Sequence, residues 1–378
     1  MEEEIGSSLS AELDEPPGAI SGTESGIWQE EDTLSIKNID DLSKDIPLLK
    51  TKKEALKKVT RFFHLRIPRY YLSLIKNVED TKDPIYMQCI PSPAEMKFSE
   101  HDKIDPLGEI KTEATRFLIH RYPDRALLLV TGKCFMYCRH CTRKRLWRCQ
   151  IAEPSLEDIN RSLDYVRENE QIREIVISGG DPLTLSTEKI EYILEAVSSI
   201  NTVEVVRIGT RAPVVFPERI DEELMAVFRK FPKLWVNVQF NHPREITPES
   251  TEACRNIQMT GVPVSNQSVL LKGINDDAAV MTELCQKLQS IRVRPYYLFQ
   301  CDPVIGAAHF RTSVFKGVEI MEKMRGHTSG MCVPTFVVDG VDGKGKVPVP
   351  PNYVVSVSDK SLTLRNYANE VFEYHNPS

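Results

Sequence analysis

The sequence predicts an α/β protein with a parallel sheet and helices packed outside it. From about residue 125 onward, short apolar runs alternate with amphipathic stretches, and the later repeats are about 30 residues long, the size of one βα unit. Unusual polar residues follow most of these runs, where parallel sheets and barrels both place their chemistry, and this favours a barrel-like active site. The six runs are RALLLVTG, REIVISGGD, VEVVRIGTR, LWVNVQFNH, VPVSNQSVLL and VRPYYLFQCD.

Helical patterns such as SLEDINRSLDYVREN and EKIEYILEAVSSI separate the runs, so the sheet is either an open doubly wound sheet or a barrel. We expect four regions along the chain. Residues 1–27 form an acidic tail that is predicted to be disordered, and residues 28–110 are helical. Residues 111–330 contain the βα units, and residues 331–378 form extended strands around a glycine-rich loop.

Composition and charge exclude several classes of function. The net charge of −6 gives no electrostatic reason to expect nucleic acid or an anionic membrane as a partner. No apolar run reaches the roughly 18 residues that cross a bilayer, and the acidic N-terminus lacks the features of a signal peptide. We therefore expect a cytoplasmic protein whose nine cysteines are reduced and serve as buried residues or metal ligands.

Three cysteines lie within eight residues in the segment GKCFMYCRHCTRKR, directly after the first apolar run. Cys134, Cys138 and Cys141 can converge on one metal site, and three interpretations are open. A structural zinc ion needs four ligands, so Cys149 or His140 would have to complete the set. Alternatively, the cysteines are buried without a metal, or they bind a four-iron cluster and leave one iron open for an outside ligand.

The C-x3-C-x2-C spacing resembles the signature of radical S-adenosylmethionine enzymes. In that superfamily the open iron holds the amino and carboxylate groups of S-adenosylmethionine, which explains the missing fourth cysteine. The departure from the common form is mild, since His140 rather than an aromatic residue precedes the last cysteine.

Further stretches resemble the lysine 2,3-aminomutase family, whose members use both S-adenosylmethionine and pyridoxal phosphate. The similarity runs from about Trp28 to the C-terminus, and its specificity lies in many motifs occurring in order. The family fold, a partial (βα)6 barrel of the radical S-adenosylmethionine type, agrees with the six apolar runs. The matching stretches are RYPDRALLLVTGKCFMYCRHCTRKR, SGGDPL, RIGTRAPVVFPERI, FNHPREIT, NQSVLLKGIND, VRPYYLFQCD, HFRT, GHTSGMCVPTFVVD and GKVPVPPNYV.

The resemblance implies one set of residues for the cluster and S-adenosylmethionine. Cys134, Cys138 and Cys141 would bind the [4Fe-4S] cluster. The SGGD glycines would let the backbone approach the methionine part of S-adenosylmethionine, although the local sequence is also typical of a strand-to-helix turn with an acidic cap. The residues implied to line this cofactor are Gly179, Gly180, Asp181, Thr210, Arg211 and Gln267.

The resemblance also implies that pyridoxal phosphate forms an aldimine with Lys346, a role that needs a flexible primary amine. On local sequence alone, this lysine is typical of a solvated loop. Lys344 is a competitor two residues away, and the following VPVPPNYV favours Lys346. Arg121, Tyr122 and Arg125 are implied to hold the phosphate, because the guanidinium fork suits a dianion; otherwise the arginines are a surface basic pair.

Arg143 is implied to pair with the substrate carboxylate, and Asp302 and Asp339 to hold the far amino group of lysine. In isolation, the two acids are typical of a helix cap and a turn. The implied reaction uses a 5′-deoxyadenosyl radical to move the 2-amino group of L-lysine to C3, which gives β-lysine. An electron donor such as flavodoxin or ferredoxin is implied as a partner.

Several alternatives remain open on the sequence. Within the family they are a lysine mutase serving elongation factor P modification and 2,3-aminomutases for arginine or glutamate. Outside it, a cluster-bearing sensor or a structural zinc protein would have no need for Lys346. Well-known members carry a cysteine-containing C-terminal extension that binds zinc and helps subunits associate, whereas this chain ends at EYHNPS and has Asp277 where a zinc cysteine would help. We therefore expect no second metal site, and a homo-oligomer remains open.

Overall fold

The computed structural model describes residues 35–46, 50–148 and 153–377. The tail expected at residues 1–27, the start of the similarity near Trp28 and the alternative zinc ligand Cys149 lie outside these residues. Within the described residues, every helix is too short or too polar to span a bilayer.

The described residues contain a central ten-stranded sheet whose strands pair in the order of the sequence. Two short strands near the N-terminus pair with each other, and three strands near the C-terminus form a separate sheet. The strands are β1 (Ser35–Ile36), β2 (Ile67–Pro68), β3 (Glu113–Thr115), β4 (Leu118–Tyr122), β5 (Arg125–Thr131), β6 (Glu174–Gly179), β7 (Val205–Gly209), β8 (Leu234–Val238), β9 (Val264–Leu270), β10 (Arg294–Gln300), β11 (Thr335–Gly340), β12 (Gly345–Pro348), β13 (Val354–Val357), β14 (Ser361–Arg365) and β15 (Val371–His375).

The six apolar runs of the sequence form β5 to β10, and each strand is parallel to the next. The register places Leu128 beside Ile177 and Ile177 beside Ile208, so buried side chains of neighbouring strands lie together. The predicted parallel sheet is therefore confirmed. Because the edge strands β3 and β12 do not pair with each other in the described chain, the sheet is an open, partial barrel.

Two strands of the C-terminal segment extend this sheet. β11 runs parallel to β10, and β12 folds back antiparallel to β11. The sequence indicated extended strands in this segment but did not indicate that the first two join the barrel. Their register places Asp339 opposite Lys346 and Gly340 opposite Gly345, so the hairpin brings residues 339–346 to the open edge of the barrel.

Helices between the strands bury one face against the sheet. In the helix Leu156–Glu168 the buried residues Ile159, Leu163 and Val166 are four and three positions apart, the spacing of one helical face. Ser155 caps this helix in a capping box with Asp158. The helices are α1 (Ile39–Asp45), α2 (Lys50–Phe62), α3 (Arg69–Ser73), α4 (Pro84–Cys89), α5 (Lys144–Arg148), α6 (Leu156–Glu168), α7 (Thr187–Ser198), α8 (Ala212–Val215), α9 (Glu222–Phe228), α10 (Pro248–Met259), α11 (Ala278–Ser290) and α12 (Val314–Met324).

The loop that carries the three cysteines, residues 132–143, packs directly on the end of β6. The amides of Gly180 and Asp181 donate hydrogen bonds of 2.7 Å to the carbonyl oxygens of Thr131 and Lys133. A Cβ on Gly180 would lie only 1.9 Å from the Lys133 carbonyl oxygen. The glycine therefore allows a close approach between two backbone segments, and these segments fix where the cysteine loop begins.

We expect Gly180→Ala to lower the free energy of unfolding by about 1–3 kcal/mol, because the new methyl group would collide with backbone that cannot move freely. Chemical denaturation of the purified protein measures this loss. Gly330→Ala is the matched control, since a Cβ there meets no atom within 4 Å. Equal stability of the two variants would contradict the close-packing argument.

Candidate active site

A cavity of about 520 Å³ lies inside the partial barrel, within the size range of small-molecule sites. Most residues predicted from the sequence line it: Arg121, Tyr122, Arg125, Cys141, Arg143, Thr210, Gln267, Asp302, Asp339 and Lys346. The other predicted residues lie on the cysteine loop and just at or after the ends of β6 and β7: Cys134, Cys138, Gly179, Gly180, Asp181 and Arg211.

The thiols of Cys134, Cys138 and Cys141 lie close enough to influence one another. All three are half-buried and form no disulfide bond. Burial raises the pKa of the Cys134 and Cys141 thiols, and neighbouring cysteines raise it further. Arg211 Nη1 donates a hydrogen bond of 2.8 Å to Cys138 Sγ. A bound cation would therefore be needed to hold Cys134 and Cys141 as thiolates.

A buried carboxylate fixes the cysteine loop to the N-terminal region. Glu95 is 0% exposed and accepts hydrogen bonds from Arg139 at 2.6 and 3.0 Å and from Lys144 at 3.0 Å. Burial lowers the pKa of the Lys144 ammonium to about 8. Because Arg139 stands between two of the cysteines, the position of Glu95 determines the position of the loop.

Asp181 and Arg211 connect the ends of β6 and β7. Asp181 accepts hydrogen bonds from the Thr210 hydroxyl at 2.7 Å, the Arg211 amide at 2.7 Å and the Leu183 amide at 3.1 Å. The acidic cap that the sequence left as an alternative is therefore present, and burial raises the pKa of Asp181. The Arg211 guanidinium also forms a 2.8 Å salt bridge with the buried Glu245.

The hairpin of β11 and β12 places Lys346 in the cavity wall and leaves Lys344 exposed. Lys346 Nζ lies 3.5 Å from Asp339 Oδ1, its partner in the strand register. The Lys346 amide donates a 2.9 Å hydrogen bond to the Tyr122 hydroxyl. Of the two lysines considered from the sequence, Lys346 is therefore the one that lines the cavity.

Arg121, Tyr122 and Arg125 form a cationic corner beside this hairpin. The guanidinium of Arg125 lies 3.9 Å and that of Arg121 5.0 Å from the centre of the Tyr122 ring. Arg121 contacts Asp339 at 3.3 Å, and Arg125 contacts Asp124 at 2.7 Å. Each guanidinium has five N–H donors, so donors beyond these contacts are available to a phosphate dianion.

Asp302 and Asp339 place two carboxyl groups in the cavity wall. Arg121 and Lys346 contact Asp339, whereas no ion pair to Asp302 occurs among the described residues. Burial raises the pKa of Asp302 to about 6, and the nearby Asp339 carboxylate also raises it. An added cation would therefore be stabilised most next to Asp302.

Arg143 also lines the cavity, but it is already bound to a carboxylate. Its Nε and Nη2 atoms donate hydrogen bonds of 2.7 to 3.0 Å to Glu109. Its Nη1 atom donates to the Ser178 hydroxyl at 3.2 Å. The sequence predicted the arginine but not its acidic partner.

Two family models match the chain. One, described as the radical SAM superfamily, matches residues 128–284, and one described as lysine-2,3-aminomutase matches residues 321–378. The L-lysine 2,3-aminomutase of Clostridium subterminale is 47% identical, over 93% of this chain and 84% of that protein. The chain belongs to the lysine 2,3-aminomutase family. The glutamate 2,3-aminomutase of Clostridioides difficile is 46% identical, over 89% of this chain and 80% of that protein.

Among solved structures, Streptococcus suis SuiB bound to S-adenosylmethionine matches 57% of this chain and 50% of its own, with 10% identity and a TM-score of 0.43. Membership of the aminomutase family makes the protein a radical S-adenosylmethionine isomerase. Its cofactors are a [4Fe-4S] cluster, S-adenosylmethionine and pyridoxal phosphate.

The donor set on the cysteine loop fits such a cluster better than a single metal ion. Within the described residues, no group of three His, Cys, Asp or Glu side chains is arranged to hold one metal ion. The cysteines of a four-iron cluster each bind a different iron, so their thiols need not converge on one point. His140, the other zinc ligand considered, faces the amide groups of Asn241 and Gln239 at 3.3 and 3.4 Å.

Sequence reasoning did not find the buried glutamates that hold these residues in the aminomutase site. Glu95, Glu109 and Glu245 bind arginines that lie 34 to 44 positions away in the chain. An acid in a loop has no local pattern that reveals such a partner. The available signal was the basic composition of CRHCTRKR, since cations that pack against a sheet need buried counter-charges.

We expect Glu95→Gln to destabilise the protein by about 3–5 kcal/mol, because two buried cations lose their counter-charge. Urea unfolding measures the change. Glu319→Gln is the control, since the Glu319 side chain is 43% exposed and contacts Lys316 and Lys323 at 2.8 and 2.6 Å, and its loss should cost about 0–1 kcal/mol. A loss for Glu95→Gln no greater than that of the control would contradict the anchoring role.

Proposed function

We propose that this enzyme moves the 2-amino group of L-lysine to C3 and produces β-lysine. The observation that carries the proposal is the carboxyl pair of Asp302 and Asp339 in the cavity wall, with Arg143 also facing the cavity. A buried ammonium is costly unless it is paired, and charge-assisted hydrogen bonds to two carboxylates would satisfy it. Arg143 would bind the carboxylate of the same substrate.

The cluster and S-adenosylmethionine would be held where the cysteine loop meets the cavity. Cys134, Cys138 and Cys141 would each bind one iron, and the fourth iron would bind S-adenosylmethionine. When bound, these two groups supply a carbon radical that removes hydrogen from the substrate. Residues proposed to line S-adenosylmethionine are Gly179, Gly180, Asp181, Thr210, Arg211 and Gln267.

The structure supports the proposed S-adenosylmethionine residues to different degrees. Thr210 and Gln267 line the cavity directly. Gly179 and Gly180 have their Cβ directions filled by the backbone of the cysteine loop, so any contact with the cofactor would come from their other side. Arg211 donates to Cys138, which places its charge beside the proposed cluster.

Pyridoxal phosphate would be held between Lys346 and the cationic corner of Arg121, Tyr122 and Arg125. Lys346 offers the primary amine, and the two guanidinium groups offer forked donors for the phosphate. When bound, pyridoxal phosphate supplies a conjugated system that stabilises an unpaired electron during the amino shift. The protein's own contribution is to bring the reacting groups together and to exclude water.

Lysine fits this site better than glutamate. A glutamate side chain would add a third carboxylate beside Asp302 and Asp339, and like charges repel there. Arginine carries a cation at its far end but is longer and planar, so only the depth of the cavity would reject it. We also propose an electron donor such as flavodoxin or ferredoxin, because the cluster must be brought to its reduced state before the redox-neutral amino shift can start.

We expect Ala at Cys134, Cys138 or Cys141 to remove cluster iron and to abolish cleavage of S-adenosylmethionine. Iron analysis of anaerobically reconstituted protein and an assay for 5′-deoxyadenosine measure the two losses. Cys254→Ala is the control, because Cys254 is buried in α10 away from the loop and should leave the iron content unchanged. Retention of a full cluster in any of the three loop variants would contradict the ligand assignment.

Lys346→Ala should lose the visible absorbance of lysine-bound pyridoxal phosphate, because the amine that bonds to the cofactor is gone. Lys344→Ala should keep that absorbance, since Lys344 is exposed outside the cavity. The cluster iron should stay normal in both variants, because the two cofactors use separate ligands. The reverse pattern of absorbance would show that the register is wrong.

Asp302→Asn should reduce lysine turnover at least tenfold, since an ammonium left with one carboxylate loses about 2–5 kcal/mol of binding. The pKa of Asp302 is raised to about 6, so its carboxyl is charged above that pH and neutral below it. Wild-type kcat/KM for lysine, which reports groups of the free enzyme, should therefore fall as the pH drops below about 6, and the Asn variant should lack this fall. Faster wild-type turnover of glutamate or arginine than of lysine would sink the assignment.

A further inference from the structure

We propose that Glu109 is a positioning residue for Arg143 and that Arg145 balances its charge. The inference rests on the proposed function, in which Arg143 binds the substrate carboxylate. It adds two residues that neither motif nor spacing indicated. Glu109 lies in the segment before β3, and Arg145 lies at the start of α5.

Glu109 holds one edge of the Arg143 guanidinium. Arg143 Nε lies 2.9 and 3.0 Å from the two Glu109 oxygens, and Nη2 lies 2.7 Å from Oε1. These contacts form a bidentate fork that fixes the rotation of the planar group. Nη1 contacts Ser178 at 3.2 Å, so the guanidinium is oriented from two sides.

The orientation has a consequence for ligand binding. Glu109 takes the Nε edge, so the edge formed by Nη1 and Nη2 is the one that remains for another carboxylate. Both Glu109 and Arg143 line the cavity, which puts that edge within reach of a bound amino acid. A freely rotating arginine would have to be ordered on binding, whereas this one is ordered beforehand.

Arg145 supplies a second positive charge beside the buried Glu109 carboxylate. Its Nη2 atom donates to Glu109 Oε2 at 2.7 Å, and its Nε atom lies 3.9 Å from Asp105. Glu109 is 4% exposed; burial alone would raise its pKa, but the two arginines lower it, so the carboxyl is ionised. Because Arg145 also donates to Glu109, Arg143 shares that carboxylate with a second cation and is only partly neutralised by it.

The test compares equilibrium binding of lysine and of cadaverine by calorimetry, with pyridoxal phosphate bound and S-adenosylmethionine absent. Cadaverine has both ammonium groups of lysine but no carboxylate. Glu109→Gln should weaken lysine binding about tenfold or more, because the charge-assisted fork is lost, and should leave cadaverine binding unchanged. Ser178→Ala should give the same pattern with a smaller loss.

Other outcomes overturn the proposal. Equal losses for lysine and cadaverine would show a merely structural role for Glu109. A gain in lysine affinity would show that Glu109 competes for Arg143 rather than orienting it, and an unchanged affinity would show that it does neither.

Arg143→Met separates this inference from the function on which it rests. If that variant binds lysine as well as the wild type does, the proposed role of Arg143 fails. If it loses lysine binding while Glu109→Gln does not, only the positioning role fails.

A second variant covers the case in which Glu109→Gln does not fold. The double variant Glu109→Gln, Arg145→Met removes one charge of each sign, so the net charge around Arg143 stays the same as in the wild type. It should fold, keep the cluster iron and show the same selective loss of lysine binding. A folded double variant with wild-type lysine affinity would overturn the proposal.

Discussion

The active site depends on a buried carboxylate that comes from outside the cysteine loop. The loop is basic along its second half, and a cation that packs into a protein interior is costly unless it is paired. Glu95 binds Arg139 and Lys144, which flank the last cysteine. Without this counter-charge, packing of the loop against the N-terminal region would leave two buried cations unpaired, and the position of the thiols relative to the cavity would be less firmly held.

Pairing between a buried carboxylate and a cation occurs three times around the site. Glu95, Glu109 and Glu245 are buried carboxylates, and each binds a cation on the cysteine loop, at its end or beside it. Gly179 and Gly180 complement them, because their missing side chains let the loop backbone approach β6. Charge pairing thus sets the lateral position of the loop, and close backbone packing sets its distance from the sheet.

The sequence predicted the elements whose cause is local. Apolar runs at βα spacing became the parallel strands β5 to β10, and the register after the glycine-rich turn favoured Lys346 over Lys344. It did not predict Glu95 or Glu109, because their partners are distant in the chain and only folding brings them together. The resemblance implied a cofactor contact for the SGGD glycines but did not indicate that backbone of the cysteine loop occupies the Cβ position of Gly180. That packing joins two separate segments of the chain, so the pattern of one strand does not contain it.

The proposed substrate preference rests on local charge rather than on overall similarity. Relatives named for lysine and for glutamate are 47% and 46% identical to this chain, so identity does not separate the two. In the proposed function Asp302 separates them, because burial raises its pKa to about 6 and the described chain supplies it with no ion pair. A carboxylate beside Asp302 would raise that pKa further, whereas an ammonium would lower it and gain the charge attraction. With the Arg143 guanidinium also facing the cavity, an amino acid that carries a carboxylate and a distant ammonium is the one whose charges the site complements.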